Sequence, residues 1–289
     1  MIRRACALLL LVWPLARADA AAVESLRDIP YATVSGKPLA LDLHLPHGVT
    51  QPPLVVYVHG GAWSAGDKSS YPEFLVENGF AVASLDFRST DVAPFPANVH
   101  DIKAAIRYLR ASAGRYGFRA DRIAVAGASS GGHLAALVGV TAGVPALEGE
   151  EGQDMGTSST VQAIVSWYGA SNLTTILSQS TPFGLGVREP ALKRLLGDSP
   201  DNRPELARLA SPVFHVDAAD PPLLLLHGDQ DRQMPINQLH ELEGAYARVG
   251  REAGTFVLHG VGHDSAPFFR GEPAARVVAF LHRTMGIQP

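Results

Sequence analysis

The chain has 289 residues, 46% of them apolar and 18% charged, with a formal net charge of −4. That balance excludes a disordered chain, and the absence of a long basic run excludes a surface built to follow a phosphate backbone, so nucleic acid is not an expected partner. The length suits one large domain of alternating strands and helices.

The first twenty residues stand apart from the rest. Arg3 and Arg4 open them, Ala5–Leu15 is almost wholly apolar, and Ala18-Asp19-Ala20 forms a small-x-small site. This is the layout of a secretory signal peptide over residues 1–20, with the mature chain beginning near Ala21 and lying in the periplasm or outside the cell. The apolar run is too short to cross a bilayer and contains Pro14; no later segment is long enough, so no membrane span is expected. The only cysteine, Cys6, lies within the same segment. The mature chain is therefore expected to carry no disulfide, cysteine nucleophile or thiolate metal site.

Further along, Leu54–Val58 is a short apolar run bounded by Pro53 and a glycine loop, which predicts a buried strand. Ala81–Leu85 predicts a second. Val99–Ala113 has helical spacing, with Val99, Ile102, Ile106 and Leu109 on one stripe. Arg122–Ala126 reads as a strand followed by an apolar helix from His133. Ala163–Trp167 and Leu223–Leu226 are further strands. Leu239–Val249 predicts a helix, Thr255–Leu258 a strand and Ala274–Met285 a closing helix. Such alternation predicts a mostly parallel sheet covered on both faces, with its site in the loops at the carboxyl ends of the strands. Two stretches interrupt it. The segment near 141–160 is rich in Gly, Glu, Ser and Thr, and 171–212 offers only one short helix, near Ala191–Leu196. Both are expected to be lid or binding segments of a single domain spanning residues 21–289.

Four motifs carry chemistry. Gly127-Ala128-Ser129-Ser130-Gly131 is a G-x-S-x-G sequence between a strand and a helix, the setting in which a strained turn projects a nucleophilic serine over the sheet edge. Ser129 is the central residue and the expected nucleophile; Ser130 is the competing serine, but at its position the side chain points away and the backbone N–H faces the oxyanion. His59-Gly60-Gly61-Ala62-Trp63 follows the first buried strand; its small residues leave backbone N–H groups uncovered for an oxyanion, each worth about 10²–10³ in rate. His227–Pro235 follows another strand and holds two carboxylates, Asp229 and Asp231, one of which is available to orient an imidazole while the other bonds loop amides. Gly260-Val261-Gly262-His263-Asp264 supplies the base, His263, with His259 at the strand end as a rival. A serine, then an acid, then a histidine is the chain order of α/β-hydrolases, and neither chymotrypsin-like nor subtilisin-like enzymes run in that order. No motif for a metal, a dinucleotide or a phosphate-cradling loop occurs, so no cofactor is expected.

These motifs resemble the secreted esterase branch of the α/β-hydrolases, which includes feruloyl-esterase-like and acetyl-xylan-esterase-like enzymes, and are similar to those of hormone-sensitive-lipase-like esterases. The matching stretches are Leu39–Pro46, Val55–Lys68, Phe95–Arg110 and Asp121–Leu137, together with SPVFHV, PPLLLLHGDQDRQMPINQ and GVGHD. The resemblance implies the α/β-hydrolase fold, with Ser129, Asp231 and His263 as the triad and the N–H groups of Gly61, Ala62 and Ser130 as the oxyanion hole. Ala62 stands where the hormone-sensitive-lipase relatives carry a third glycine, and Asp264 replaces a common glycine.

The function this implies is a carboxylic ester hydrolase acting through an acyl-enzyme on short-chain or small aromatic acyl esters. The substrate would be a small molecule or a polysaccharide-linked ester. An exported exopeptidase or amidase on the same fold is the alternative, and a non-catalytic binding protein a more distant one. Trp63, Trp167 and Met234, with Tyr168 and Phe183, are expected near the cleft from their positions after strands or in the lid. The sequence carries no signal for an oligomeric state.

Overall fold

The computed structural model describes residues 23–286. The expected signal peptide and Cys6 lie outside the described residues.

In chain order the strands are β1 (Glu24–Val34), β2 (Lys37–Leu45), β3 (Leu54–Val58), β4 (Ala81–Leu85), β5 (Ile123–Ala128), β6 (Ala163–Trp167), β7 (Leu223–Gly228) and β8 (Gly254–Leu258). The helices are α1 (Glu73–Glu77), α2 (Ala97–Tyr116), α3 (Ser130–Gly139), α4 (Pro145–Glu148), α5 (Ile176–Gln179), α6 (Pro182–Leu196), α7 (Pro204–Leu209), α8 (Asn237–Arg248) and α9 (Gly271–Thr284). The strands form one sheet in the order β1-β2-β4-β3-β5-β6-β7-β8. Pairings from β4 to β8 are parallel, while β1–β2 and β2–β4 are antiparallel.

The central strands are apolar throughout because the sheet buries both faces. Leu54, Val56, Ile123, Val125, Leu223 and Leu225 turn into the core shared with α2, α3 and α8. Val55, Tyr57, Ala124, Ala126, Leu224 and Leu226 turn into the opposite core, beneath α1 and α9. The pairing brings Val58 opposite Gly127, Ala128 opposite Trp167 and Gly228 opposite Leu258, so the carboxyl ends of these strands lie side by side. Every motif singled out above leaves the sheet at that edge.

Two parts of the architecture depart from the sequence expectation. The antiparallel pair β1–β2 has no counterpart among the strands expected from the sequence. β1 is an edge strand, half exposed, with irregularities between Leu26 and Ile29 and between Pro30 and Ala32; a bulged, proline-bearing edge shows no clean alternation. The second is α6, fifteen residues long where a short helix near Ala191–Leu196 was expected. Its start is capped by the Thr181 hydroxyl, which accepts the Gly184 N–H, and its end by Gly197 in the left-handed conformation. Pro190 lies within it but faces solvent, as does Gly186, whose carbonyl loses its helical donor; the bond is lost on the solvent side and leaves no buried orphan, so the helix continues.

The segment near 141–160 is anchored to α2 and to the loop after β4. Lys103 Nζ reaches Glu148 at 2.8 Å, Arg107 donates to the Glu151 carbonyl at 2.9 Å, and Arg88 donates to the Glu151 carboxylate at 2.7 Å. The segment 171–212 carries α5, α6 and α7.

Candidate active site

The turn from β5 into α3 puts Ser129 at φ 56°, ψ −122°, a conformation that side chains rarely adopt and that persists only where its surroundings enforce it. Here the Ser129 N–H is tied to the Trp167 carbonyl at 2.9 Å. Space enforces the rest. A Cβ on Gly131 would lie 2.1 Å from the Val58 carbonyl oxygen, and one on Gly127 would lie 2.2 Å from the Gly131 carbonyl. Neither atom fits, so the two outer positions of the motif accept only glycine while β3, β5 and α3 keep their spacing.

Ser129 Oγ lies 2.8 Å from His263 Nε2, and His263 Nδ1 lies 2.6 Å from Asp231 Oδ2. Asp231 Oδ1 accepts the N–H groups of Gln233 and Met234, both at 2.8 Å. His227 Nε2 stands 3.4 Å from Asp231 Oδ2 and 3.0 Å from the Met234 carbonyl. Burial of Asp231 opposes its ionisation, but the donors from His227, His263 and the Met234 backbone outweigh burial and hold the carboxyl well below the usual carboxylate range. With the carboxylate ionised, the favoured His263 tautomer carries its hydrogen on Nδ1, leaving Nε2 to accept from the serine. Asp229, the rival carboxylate, faces elsewhere: it takes the Gly260 N–H at 2.7 Å and the exposed His259 at 2.8 Å. The Tyr168 ring meets His263 edge-on at 4.7 Å. Phe183 projects from the first turn of α6, half exposed, with Arg232 over its ring.

The loop after β3 abuts this turn, since a Cβ on Gly60 would lie 3.4 Å from that of Ser129. Among the described residues, the N–H groups of Gly61, Ala62 and Ser130 have no backbone acceptor. Ala62 and Trp63 both hold positive φ, 52° and 62°, which costs each of order 1 kcal/mol. The loop is braced on several sides. His59 Nδ1 donates to the Gly60 carbonyl at 2.7 Å, and the Trp63 carbonyl accepts from Thr90 at 2.9 Å. Trp63 Nε1 donates to His133 Nδ1 at 3.0 Å.

A BD-FAE family model matches residues 41–246. The chain belongs to the BD-FAE family. Its mostly parallel sheet with helices on both faces is the α/β-hydrolase fold shared with its structural neighbours. Esterase LipC of Mycobacterium tuberculosis is 32% identical over 236 residues, 79% of this chain and 57% of LipC. The chain spans about half the length of the curated relatives it matches. A solved structure described as a truncated form of a carbohydrate esterase from gut microbiota superposes with a TM-score of 0.84 at 31% identity, covering 93% of this chain and 99% of that one. A bifunctional GH43-CE from Bacteroides eggerthii gives a TM-score of 0.82 at 32% identity, covering 91% of this chain and 35% of that one.

Three expectations for this BD-FAE chain are corrected by burial. Trp63, Trp167 and Met234 are 1%, 0% and 0% exposed, so none offers a wall to a substrate as the structure stands. Trp167 ends β6 on the opposite face of the sheet, edge-on to Tyr57 and Phe269. Met234 lies in the other core, and Trp63 packs edge-on against His133. Trp167 still belongs to β6, where alternation turns neighbouring side chains to opposite faces, whereas the loops that carry Trp63 and Met234 fold their side chains back into the core.

His133 is the residue that sequence reasoning missed in this family's G-x-S-x-G segment. It lies four positions after Ser129, one helical turn on, and is wholly buried. Its Nε2 sits 2.7 Å from the Ala210 carbonyl and its Nδ1 accepts from Trp63, which fixes the neutral tautomer with hydrogen on Nε2. It thereby joins α3, the Gly61–Trp63 loop and the end of the 171–212 segment. No periodicity marks such a histidine; only the three-dimensional meeting does.

Burial pushes the His133 imidazole down to about 4, against a smaller opposing effect of the Ala210 carbonyl. The unfolded chain takes up a proton here near pH 6.5 while the folded one does not, so stability falls as pH drops from about 6.5 towards 4. A shift of this size corresponds to about 3 kcal/mol over that interval. Burial pushes His44 to about 4 as well, and it acts in the same direction. Urea unfolding at pH 7 and pH 4.5 measures the loss, and His133→Gln is expected to remove a large part of the pH dependence. An unchanged dependence in that variant would contradict the assignment.

Proposed function

We propose that the protein is a carboxylic ester hydrolase that uses Ser129, His263 and Asp231 through an acyl-enzyme, acting on short-chain or small aromatic acyl esters, including those carried by carbohydrate. The observation that carries this reading is the continuous chain from Ser129 Oγ through His263 to Asp231, with contacts of 2.8 and 2.6 Å. The unpaired N–H groups of Gly61, Ala62 and Ser130 support it. The names of relatives add to it: an esterase among the curated proteins and a carbohydrate esterase among the solved structures.

In the first half of the reaction, Ser129 Oγ bonds to the ester carbonyl carbon while its proton passes to His263 Nε2. The carbonyl electron pair moves onto oxygen, where the three N–H groups receive the charge. Asp231 stabilises the imidazolium without taking its proton. When the carbon–oxygen bond to the alcohol breaks, that proton goes to the departing oxygen and leaves an acyl group on Ser129. Water then repeats the sequence: it gives a proton to Nε2, attacks the acyl carbon and releases the acid with Ser129 restored.

The short-chain preference rests on the surface of the 171–212 segment. Among its described residues Phe183 is the only large apolar side chain that is exposed, and the Arg232 guanidinium lies 5.0 Å from its ring. A lipid interface requires a contiguous apolar patch, which one ring does not provide. On nitrophenyl esters from acetate to palmitate, kcat/KM is expected to peak at acetate or butyrate. A maximum at ten carbons or beyond, with activation by an oil–water interface, would overturn the preference.

A further inference from the structure

Arg188 is an anomaly beside this site. It is 1% exposed, and its Nε and Nη1 are buried without a hydrogen-bond partner. Buried polar groups are nearly always paired, and a buried guanidinium without an acceptor is among the most costly exceptions. Among the described residues no carboxylate forms an ion pair with it. Asp231 is the acid whose field reaches it, and that carboxylate is already engaged by His263 and two backbone N–H groups.

The position of Arg188 follows from α6. Gly184, one turn earlier on the same helical face, sits against the Arg232 carbonyl, where a Cβ would come within 2.8 Å. This places the face next to the loop that carries Asp231. At the other end of the side chain, the Arg188 guanidinium carbon lies 5.9 Å from the centre of the Trp63 ring, and Trp63 directly follows Gly61 and Ala62. The guanidinium therefore stands between the loop holding the acid and the loop holding the proposed oxyanion donors. Contact with the Trp63 ring eases the charge but supplies no acceptor for the orphaned N–H groups. A trapped water would satisfy a hydrogen bond and leave the charge uncompensated.

We propose that Arg188, closed off as the structure stands, is a specificity-determining residue whose guanidinium receives a carboxylate carried by the ester substrate when the α6 face moves aside to admit it, making the enzyme selective for acidic esters. The proposal rests on the ester-hydrolase reading above. The chemistry is that of a charge-assisted hydrogen bond in a dry site, for which arginine is suited and lysine less so. The substrate class is an ester bearing a free carboxylate, either on the acyl group, as in a half-ester of a dicarboxylic acid, or on the alcohol, as in an acylated sugar acid.

The test compares matched pairs of substrates on the wild-type protein, Arg188→Lys and Arg188→Met. One pair places the carboxylate on the acyl side: mono-4-nitrophenyl adipate against 4-nitrophenyl hexanoate. The other places it on the leaving group: 4-carboxyphenyl acetate against 4-carbamoylphenyl acetate. For at least one pair, the charged-to-neutral ratio of kcat/KM is expected to fall tenfold or more in Arg188→Met, with Arg188→Lys in between, while the neutral substrate is still turned over. The pair that responds identifies the side. Ratios that Arg188→Met leaves unchanged in both pairs would overturn the proposal. So would a wild-type protein that disfavours the charged member of both pairs tenfold, a result that needs no variant to fold. Failure of the wild-type protein on all four substrates would instead overturn the ester-hydrolase reading, and this proposal with it.

Discussion

Ser129→Ala is expected to lower kcat on an aryl acetate by a factor on the order of 10⁴–10⁶ while leaving the thermal midpoint within a few degrees. The loss is large because, in the proposed mechanism, nucleophile, base and acid act as one unit, and removing the atom to be acylated leaves only binding and oxyanion stabilisation. The fold is expected to survive because the strained turn depends on backbone contacts that alanine keeps. Among these are the N–H to the Trp167 carbonyl and the close approach of Gly131 to Val58. Alanine also tolerates φ 56° no worse than serine does. Steady-state rates and a melting curve on the same preparation check both halves. A variant that keeps a tenth of the wild-type kcat would rule Ser129 out as the nucleophile.

The second large effect separates two neighbouring acids. Asp231→Asn is expected to cost about 10⁴ in kcat, and Asp229→Asn less than about tenfold. The geometry explains the asymmetry. The oxygen at the Oδ1 position of residue 231 is held by two backbone donors, from Gln233 and Met234. An asparagine must keep its oxygen there and turn its NH₂ group towards His263. Donating to Nδ1, that group selects the tautomer with hydrogen on Nε2, which can no longer accept from the serine hydroxyl. Asp229 has no such position: its partners are the Gly260 N–H and the exposed His259. Equal losses in the two variants would remove the basis for assigning the acid to Asp231.

The central sheet was legible in the sequence because strands buried on both faces are short continuous apolar runs. The edge was not, since β1 is half exposed, bulged and interrupted by Pro30. The full length of α6 is hidden in the sequence because Gly184, Gly186 and Pro190 look like breakers. In the structure Gly184 is a close-packing point against Arg232, while Gly186 and Pro190 face water. At the site, the order of Ser129, Asp231 and His263 and the loops that carry them could be read from motifs alone, and the structure brings all three within hydrogen-bond distance of one another in series. His133 and Arg188 could not be read. Each is a polar residue on a helix, and its role arises only where separate elements meet.

The most direct test of the central claim is covalent capture. A fluorophosphonate reacts with a serine only where a base activates it and an oxyanion site receives the phosphoryl oxygen. Intact-mass measurement followed by peptide mapping is expected to show one adduct per chain, on Ser129, and none on Ser129→Ala. An adduct on Ser130, or a wild-type protein that remains unlabelled, would contradict the assignment of Ser129 as the nucleophile.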